Sequence, residues 1–252
     1  MEQTDQADLH PFSVEFEVYG DYAMFTNPFS AISGEKLSTQ IPSHEALRGI
    51  ISSVYAKPTI TWQIDAVRIM NPIKYEPMAI KTPRYYKSGV SDLYWYSYLR
   101  NVRYQVRAHF EFNMHQTEMA NDRNPKKHLE IAKRMIERGG RRDVFLGTRE
   151  CQAYVQPCVF GEGEGAYDNV PVMPFGMMYY GLTYPDQAYS KETEGKLTSH
   201  LYQPVMRNGV IKFPRDYECP VHKHVKKMPL YIFPDISNEK EEPVDGSIAS
   251  GS

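Results

Sequence analysis

Alternation of apolar and polar residues predicts three strands in the first half of the chain. It occurs in "SVEFEVYG" (13–20) and "TITWQIDAVRIM" (59–70), and it is longest in "NVRYQVRAHFEFNM" (101–114). In the last of these, the even positions are apolar, whereas the odd positions carry Arg, Gln, His and Glu. A period of two is typical of strands that bury one face. We therefore expect a sheet with one apolar and one polar face.

The first predicted helix lies between the first two strands. Ser43 is a typical N-cap residue, and apolar residues follow at helical spacing up to Val54. The helix is predicted to end near Tyr55, because Lys57 precedes Pro58 and the residue before a proline avoids the helical region.

The second predicted helix follows the third strand. Asn124 suits the N-cap and Pro125 the first helical position. Gly139 and Gly140 are expected to end the helix. The buried stripe is predicted to contain Leu129, Ala132, Met135 and Ile136.

These elements, with a fourth strand in "RECQAYVQPCVF" (149–160), predict an α+β fold. The order strand–helix–strand–strand–helix–strand is that of the split βαβ unit of ferredoxin-like domains. A long insertion rich in Tyr, Pro and Lys, at about 74–100, interrupts this order. Its tyrosines, such as Tyr85, Tyr86, Tyr94, Tyr96 and Tyr98, suit either base stacking or a small aromatic core.

The glycine-rich run at 161–165 is the predicted domain boundary. Beyond it, "FGMMYYGLTY" (175–184) predicts a strand, and Asn208-Gly209 between apolar runs predicts a two-residue hairpin. The predicted division is a flexible N-terminal segment (1–11), a ferredoxin-like domain (12–160), a small antiparallel β domain (161–233) and a disordered acidic tail (234–252).

Charge is unevenly distributed along the 252 residues, although the net charge is only −2. Residues 123–142 carry eight Lys or Arg and two Glu, which suits either a polyanion partner or a solvated helix face. No apolar run is long enough to cross a bilayer, so no membrane contact is expected. Three cysteines without a C-x-x-C pair favour reduced thiols and a cytoplasmic location.

Lys127 and His128 are predicted to lie in the first turn of the second helix, where backbone N–H groups favour a phosphate. RNA carries its own nucleophile, the 2′-hydroxyl. A histidine that exchanges protons and a lysine that stabilises the charged transition state are therefore sufficient to cleave it without a metal ion. Lys-His pairs at helix starts are more often ordinary surface residues, so the pair alone does not decide the function.

Longer motifs carry a resemblance to a known family. They are "VYGDYAMFTNP", "GEKLSTQIPSHEALRGIISSVYAKPT", "VRYQVRAHFEFN", "DRNPKKH" and "GGRRDVFLGTRECQAYV". In order and spacing the chain resembles the CRISPR-associated Cas-five family of subtype I-C, also called the Dvulg subtype, over about residues 13–233. This family belongs to the repeat-associated mysterious proteins, which have a ferredoxin-like RNA-binding domain.

The resemblance implies a metal-independent, repeat-specific endoribonuclease that needs no cofactor. It implies cleavage of precursor CRISPR RNA by 2′-hydroxyl attack at the base of the repeat hairpin. The protein would then hold the 5′ handle of the guide RNA beside the other subunits of the type I-C interference complex. Non-specific contact with duplex DNA is a further expectation. The alternative is a non-catalytic subunit that only clamps the 5′ handle.

The family's catalytic tyrosine, lysine and histidine correspond to Tyr55 in "SVYAKP" and to Lys127 and His128 in "DRNPKKH". Without the resemblance, Tyr55 reads as a packing residue at a helix end. Ala56 and Pro125 depart from the family pattern, as does Lys126, which leaves repeat specificity open. The predicted RNA-binding residues are Lys57, Arg107, His109, Arg123, Lys126, Arg141 and Arg142. Arg107 and His109 suit RNA contact and a merely hydrated sheet face equally well.

Residues 219–227, "CPVHKHVKK", contain Cys219, His222 and His224, but their spacing fits no standard zinc site and a fourth ligand is missing nearby. No metal site is predicted. A basic segment facing RNA is the preferred interpretation of this stretch.

Overall fold

The structure is a computed structural model that describes residues 10–26, 36–84, 89 and 91–231. Most of the predicted flexible N-terminal segment and the predicted acidic tail at 234–252 lie outside the described residues, as do Tyr85 and Tyr86.

Two α-helices, three short 3-10 helices and thirteen strands make up the regular structure of the described residues. The α-helices are α1 (His44–Val54) and α2 (Pro125–Glu137). The strands are β1 (Ser13–Ala23), β2 (Lys36–Leu37), β3 (Ile60–Ile69), β4 (Tyr75–Pro83), β5 (Ser91–Phe112), β6 (Val144–Phe145), β7 (Gln152–Pro157), β8 (Met173–Pro174), β9 (Met178–Thr183), β10 (Lys196–Tyr202), β11 (Val205–Arg207), β12 (Val210–Lys212) and β13 (Val221–Lys227).

The predicted ferredoxin-like core is confirmed. Elements β1, α1, β3, β5, α2 and β7 follow in the expected order. Their strands lie in the spatial order β7-β1-β5-β3, inside a ten-stranded sheet. β5 pairs antiparallel with both β1 and β3. The apolar even positions of β5 from Val102 to Phe110 are buried, as their alternation predicted.

The insertion predicted at 74–100 is a long β-hairpin. β4 pairs antiparallel with the first half of β5, and β2 pairs with the same stretch in parallel. Tyr98 is buried there and meets the ring of Tyr22 edge to face, whereas Trp95 is 52% exposed. One side of the hairpin therefore has a small aromatic cluster, and the other side presents aromatic surface to solvent.

Both helices begin at the caps that the sequence predicts. The Ser43 hydroxyl accepts a hydrogen bond from the Ala46 N–H at 3.2 Å. The Asn124 side chain accepts one from the Lys127 N–H, also at 3.2 Å, and Pro125 occupies the first turn. Such caps satisfy backbone donors that have no partner within the helix.

The turn after α2 ties the two helices together. Gly139 and Gly140 both have positive φ, and their N–H groups donate to the carbonyls of Ile136 and Met135. The chain then reverses, and the N–H groups of Arg141 and Arg142 donate to carbonyls in the last turn of α1, at 3.2 Å each. The end of α1 is therefore fixed by main-chain atoms of this turn.

The predicted hairpin at Asn208-Gly209 is confirmed, since both residues have positive φ between β11 and β12. Its expected place in a separate small sheet is wrong, because β12 pairs with β3 and extends the large sheet. A second sheet does form, from β9, β10 and β13. The chain after residue 160 thus contributes to both sheets, and a domain boundary at 160/161 stays a prediction.

Within the described ranges, neither helix has the length and apolar character needed to span a bilayer.

Gly147 should tolerate no side chain. Its φ is +94°, and a Cβ atom placed on it would lie 1.9 Å from the Met24 carbonyl oxygen. We expect Gly147→Ala to lower the free energy of unfolding by about 3 kcal/mol or more, measured by urea denaturation. Gly161→Ala is the matched control, because Gly161 has a φ of +95° but no atom within 4 Å of a Cβ. Equal losses in the two variants would show that the contact with Met24 is unimportant.

Candidate active site

The end of α1 and the first turn of α2 bring Tyr55 and His128 together. Tyr55 is the C-cap residue of α1, and its hydroxyl lies 2.8 Å from Nδ1 of His128. The indole N–H of Trp62 donates to the Tyr55 carbonyl at 2.7 Å, which fixes the backbone there. Phe110 and Phe112 meet the imidazole edge to face, with ring centroids 5.9 and 6.0 Å away. The pair therefore lies on the apolar, helix-covered face of β5.

The hydrogen positions in this pair follow from a carbonyl group. Nε2 of His128 lies 2.8 Å from the backbone carbonyl oxygen of Asp122, and a carbonyl can only accept. Nε2 must therefore carry a hydrogen. In the neutral imidazole Nδ1 then holds a lone pair, so the Tyr55 hydroxyl donates to it.

Asp122 connects His128 to Lys127. One carboxylate oxygen of Asp122 accepts from the Lys127 ammonium at 2.5 Å. The other accepts from the buried Thr59 hydroxyl at 2.7 Å and lies 3.5 Å from Nε2 of His128. Lys127 is thus connected to the Tyr55–His128 pair through the Asp122 carboxylate.

The pKa values of two groups shift in opposite directions. Burial raises the pKa of the Tyr55 phenol, the charge of Asp122 adds to the rise, and the charge of Arg141 opposes it. Burial also acts to raise the pKa of Asp122, but the hydrogen bonds from Lys127 and Thr59 outweigh it and hold that pKa below its ordinary value. At neutral pH the phenol is therefore a hydrogen donor, and Asp122 is charged.

Exposure differs sharply between the adjacent residues Lys127 and His128. The His128 side chain is fully buried, and Tyr55 is 2% exposed. The Lys127 side chain is 50% exposed. The alternative that His128 is an ordinary surface residue is therefore wrong.

The first turn of α2 offers fewer free donors than the sequence suggests. Pro125 has no N–H, and the Lys127 N–H is bound to Asn124. In the described part of the chain, the Lys126 N–H is the remaining donor of the first three helical residues. Lysine side chains, more than the helix terminus, supply positive potential at this point.

The predicted RNA-binding residues fall into two groups. Lys57, Lys126, Arg141 and Arg142 are exposed. Arg141 is close enough to lower the Tyr55 pKa. Arg123 is half-buried and donates to the carbonyl of Gln116 at 3.0 Å. This first group lies on the segments that hold the Tyr55–His128 pair.

Arg107 and His109 form the second group, on the opposite face of β5. Arg107 pairs with Glu15 at 2.9 Å and lies over the Phe160 ring. His109 is buried, with Nδ1 2.7 Å from Asp65 and its ring stacked on His10. The structure does not bring these two residues to the Tyr55–His128 pair.

Asp122 and Thr59 are site residues that the sequence analysis did not single out. Asp122 lies inside the quoted motif "DRNPKKH", so its acidic side chain beside a lysine and a histidine was the available signal. Thr59 had no comparable signal, because its role depends on the loop before α2 folding back over the start of β3. Within the described residues, neither Cys219, His222 and His224 nor any other three His, Cys, Asp or Glu side chains are placed so that they could hold a metal ion.

The fold and this site define a ferredoxin-like protein of the repeat-associated mysterious type, with a buried Tyr–His pair between its two helices. A family model described as CRISPR-associated protein (Cas_Cas5) matches residues 13–214. The chain belongs to this Cas5 family, of subtype I-C, as its motifs predicted.

Known relatives agree with this assignment. A protein of Mannheimia succiniciproducens named CRISPR pre-crRNA endoribonuclease Cas5d is 25% identical over 232 residues, covering 81% of this chain and 96% of the relative. Its namesake from Thermus thermophilus is 21% identical over 228 residues, covering 81% and 92%. A solved structure described as a CRISPR-associated protein is 33% identical, with a TM-score of 0.68, covering 84% of this chain and 96% of the other.

Replacing Asp122 by alanine should destabilise the protein in a pH-dependent way. The loss of unfolding free energy should be about 1–3 kcal/mol at pH 7, because Thr59 and Lys127 lose their acceptor. A depressed folded-state pKa stabilises above the unfolded-state pKa, and this contribution disappears as pH falls through the folded-state value. In urea titrations the loss should therefore shrink as the pH falls below the ordinary pKa of an aspartate. Asp143→Ala, at an exposed carboxylate, is the control. A loss independent of pH would contradict this account of Asp122.

Proposed function

We propose that this protein is a metal-independent endoribonuclease that cleaves precursor CRISPR RNA within the repeat. The observation that carries the proposal is the 2.8 Å contact between the Tyr55 hydroxyl and Nδ1 of His128, in a tautomer set by the Asp122 carbonyl. The names of the two curated relatives support the same activity. After cleavage, the protein stays on the 5′ handle of the guide RNA within the type I-C interference complex.

The hydrogen bonds set the direction of proton transfer. His128 is fully buried and Tyr55 is 2% exposed, so the phenol is the member of the pair that we propose meets the ribose. As the 2′-hydroxyl gives its proton to the phenol oxygen, the phenol hydrogen passes to Nδ1 of His128. The imidazolium that forms keeps its Nε2–H on the Asp122 carbonyl, and the Asp122 carboxylate stabilises the new charge.

The rest of the reaction is an in-line displacement at phosphorus. The 2′-oxygen forms a bond to phosphorus, the bond to the 5′-oxygen breaks, and that oxygen takes a proton from solvent. The products are a 2′,3′-cyclic phosphate and a 5′-hydroxyl. Lys127 stabilises the additional negative charge on the phosphoryl oxygens.

Lys127 is held by Asp122 before RNA binds. It is half-exposed, so a backbone phosphate can compete for its ammonium group. Movement of Lys127 toward the phosphate leaves the Asp122 carboxylate free to interact with the His128 imidazolium. Substrate binding would thereby bring Lys127 to the phosphate and leave Asp122 to stabilise His128.

The near-complete burial of Tyr55 and His128 favours a second candidate, an inert RNA clamp in which the pair only packs α1 against α2. Both candidates share salt-dependent RNA binding through the exposed cations. They differ in what the Tyr55 hydroxyl and the His128 imidazole contribute, which substitution can separate.

Tyr55→Phe and His128→Ala should each slow cleavage of the cognate repeat hairpin by about 10²–10⁴-fold while leaving RNA affinity nearly unchanged. Single-turnover cleavage and filter binding measure the two quantities. Tyr154→Phe is the matched control, since Tyr154 is an exposed tyrosine on β7. If the wild-type protein never cuts its repeat, the clamp is the correct function.

Cleavage should continue in excess EDTA, because the proposed chemistry uses side chains alone. A repeat with a 2′-deoxy sugar at the cut position should bind and remain intact, since it lacks the nucleophile. Gel analysis of the products checks both expectations. Loss of activity with EDTA, or cleavage of the deoxy substrate, would exclude this mechanism.

A further inference from the structure

Strand β13 is an exposed basic edge. It pairs with β10 at one border of the three-stranded sheet, and all seven of its residues are exposed. Its sequence, "VHKHVKK", contains three lysines and two histidines and no acidic residue. The Tyr55–His128 site makes no use of this strand.

A chain of hydrogen bonds lies beneath one of its histidines. Nδ1 of His222 lies 2.8 Å from Nδ1 of buried His200. Nε2 of His200 lies 2.8 Å from the Thr183 hydroxyl, which donates to the Asp216 carboxylate at 2.7 Å. The chain thus runs from an exposed imidazole to a carboxylate through two buried groups.

The carboxylate sets the direction of the first two hydrogen bonds in this chain. Thr183 gives its hydrogen to Asp216, so its oxygen accepts from Nε2–H of His200. Burial lowers the pKa of His200 and so favours its neutral form, in which Nδ1 holds a lone pair. His222 must then donate from Nδ1.

The ring of His222 is therefore fixed with Nε2 as its second polar atom. Within the described residues Nε2 makes no hydrogen bond, and the side chain is exposed. Because Nδ1 is bonded within the protein, Nε2 is the ring atom that His222 presents to a ligand.

Edge lysines alone have a simpler explanation, because they prevent pairing with foreign strands. That function needs no buried His200 and Thr183 beneath a single histidine. An oriented imidazole on a strand without acidic residues fits a phosphate-bearing partner better.

The chain after β13 leads back to the loop before α2. The carbonyl of Tyr231 accepts from the Gln116 side chain at 3.0 Å, and the Gln116 carbonyl accepts from Arg123. Three residues lie between Lys227 and Tyr231, so their Cα atoms are four residue steps apart and at most about 14 Å from each other. The end of β13 therefore lies close to the segment that carries Asp122.

Aromatic rings lie beside His222. The Tyr189 hydroxyl is 3.5 Å from Nδ1 of His222, and the Tyr189 ring meets that of Tyr217, which is 55% exposed. Exposed tyrosines next to cations are typical of surfaces that stack unpaired bases.

We propose that His222, Lys223, Lys226 and Lys227 form a second RNA-contact site, in which the lysines bind backbone phosphates and His222 presents Nε2 to the RNA. The inference rests on the proposed function, since its ligand is the RNA strand that continues from the Tyr55–His128 site. It adds a surface on the small sheet that binds RNA without taking part in cleavage.

The test measures RNA affinity against salt concentration, using the full chain with His128→Ala so that the repeat RNA stays intact. The double variant Lys223→Ala/Lys226→Ala should bind more weakly and should reduce the slope of log K against log salt by about two. His222→Gln should weaken binding several-fold. Thr183→Val should do the same, because it breaks the chain to Asp216 without changing any charge.

His224→Gln is the matched control, since this exposed histidine on the same strand makes no contact with His200. It should bind as the parent does, and circular dichroism should show every variant folded. Unchanged affinity and salt slope in the lysine and His222 variants would overturn the proposal. So would normal RNA binding combined with lost association with other complex subunits, which would make β13 a protein contact.

Failure of this inference is separable from failure of the proposed function. A wild-type protein that never cuts RNA, but whose affinity depends on β13, would refute cleavage and support the second site. Normal cleavage with an RNA affinity that does not depend on β13 would support cleavage and refute the second site.

Discussion

Strand β5 is the element on which the rest of the structure depends. It pairs with β1 and β3 along its second half and with β2 and β4 along its first half. Its alternation decides what lies on each face: Phe110 and Phe112 support His128 on one side, whereas Arg107 pairs with Glu15 on the other. A shift of one residue in register would exchange the two faces. The candidate site at His128 and the sheet therefore both depend on the register of β5.

The same physical device occurs twice in the molecule. A buried histidine has one nitrogen fixed as a donor by an oxygen acceptor, and its other nitrogen receives a hydrogen from a second side chain. For His128 the acceptor is the Asp122 carbonyl and the second side chain is Tyr55. For His200 they are Thr183 and His222. Because both ring nitrogens are bonded, the cost of burying each imidazole is offset, and each chain has a defined direction.

The sequence was most informative where local rules apply. The strands of the core, the caps at Ser43 and Asn124 and the turn at Asn208 depend on periodicity and turn chemistry, and all were predicted. The convergence of Tyr55 with Lys127 and His128 came from family motifs, because no local rule joins residues 73 positions apart. Three features depend on long-range packing, which cannot be predicted from one sequence. They are the burial of His128, the roles of Asp122 and Thr59, and the pairing of β12 with β3.

In the turn after α2, the main chain and the side chains have different roles. Arg141 and Arg142 hold the end of α1 through their N–H groups, which any residue except proline can supply. Their exposed guanidinium groups are therefore not needed to hold the end of α1. Under the proposed function, a lineage whose CRISPR repeat changes can vary the charge and shape of these two side chains without loosening the helix that carries Tyr55.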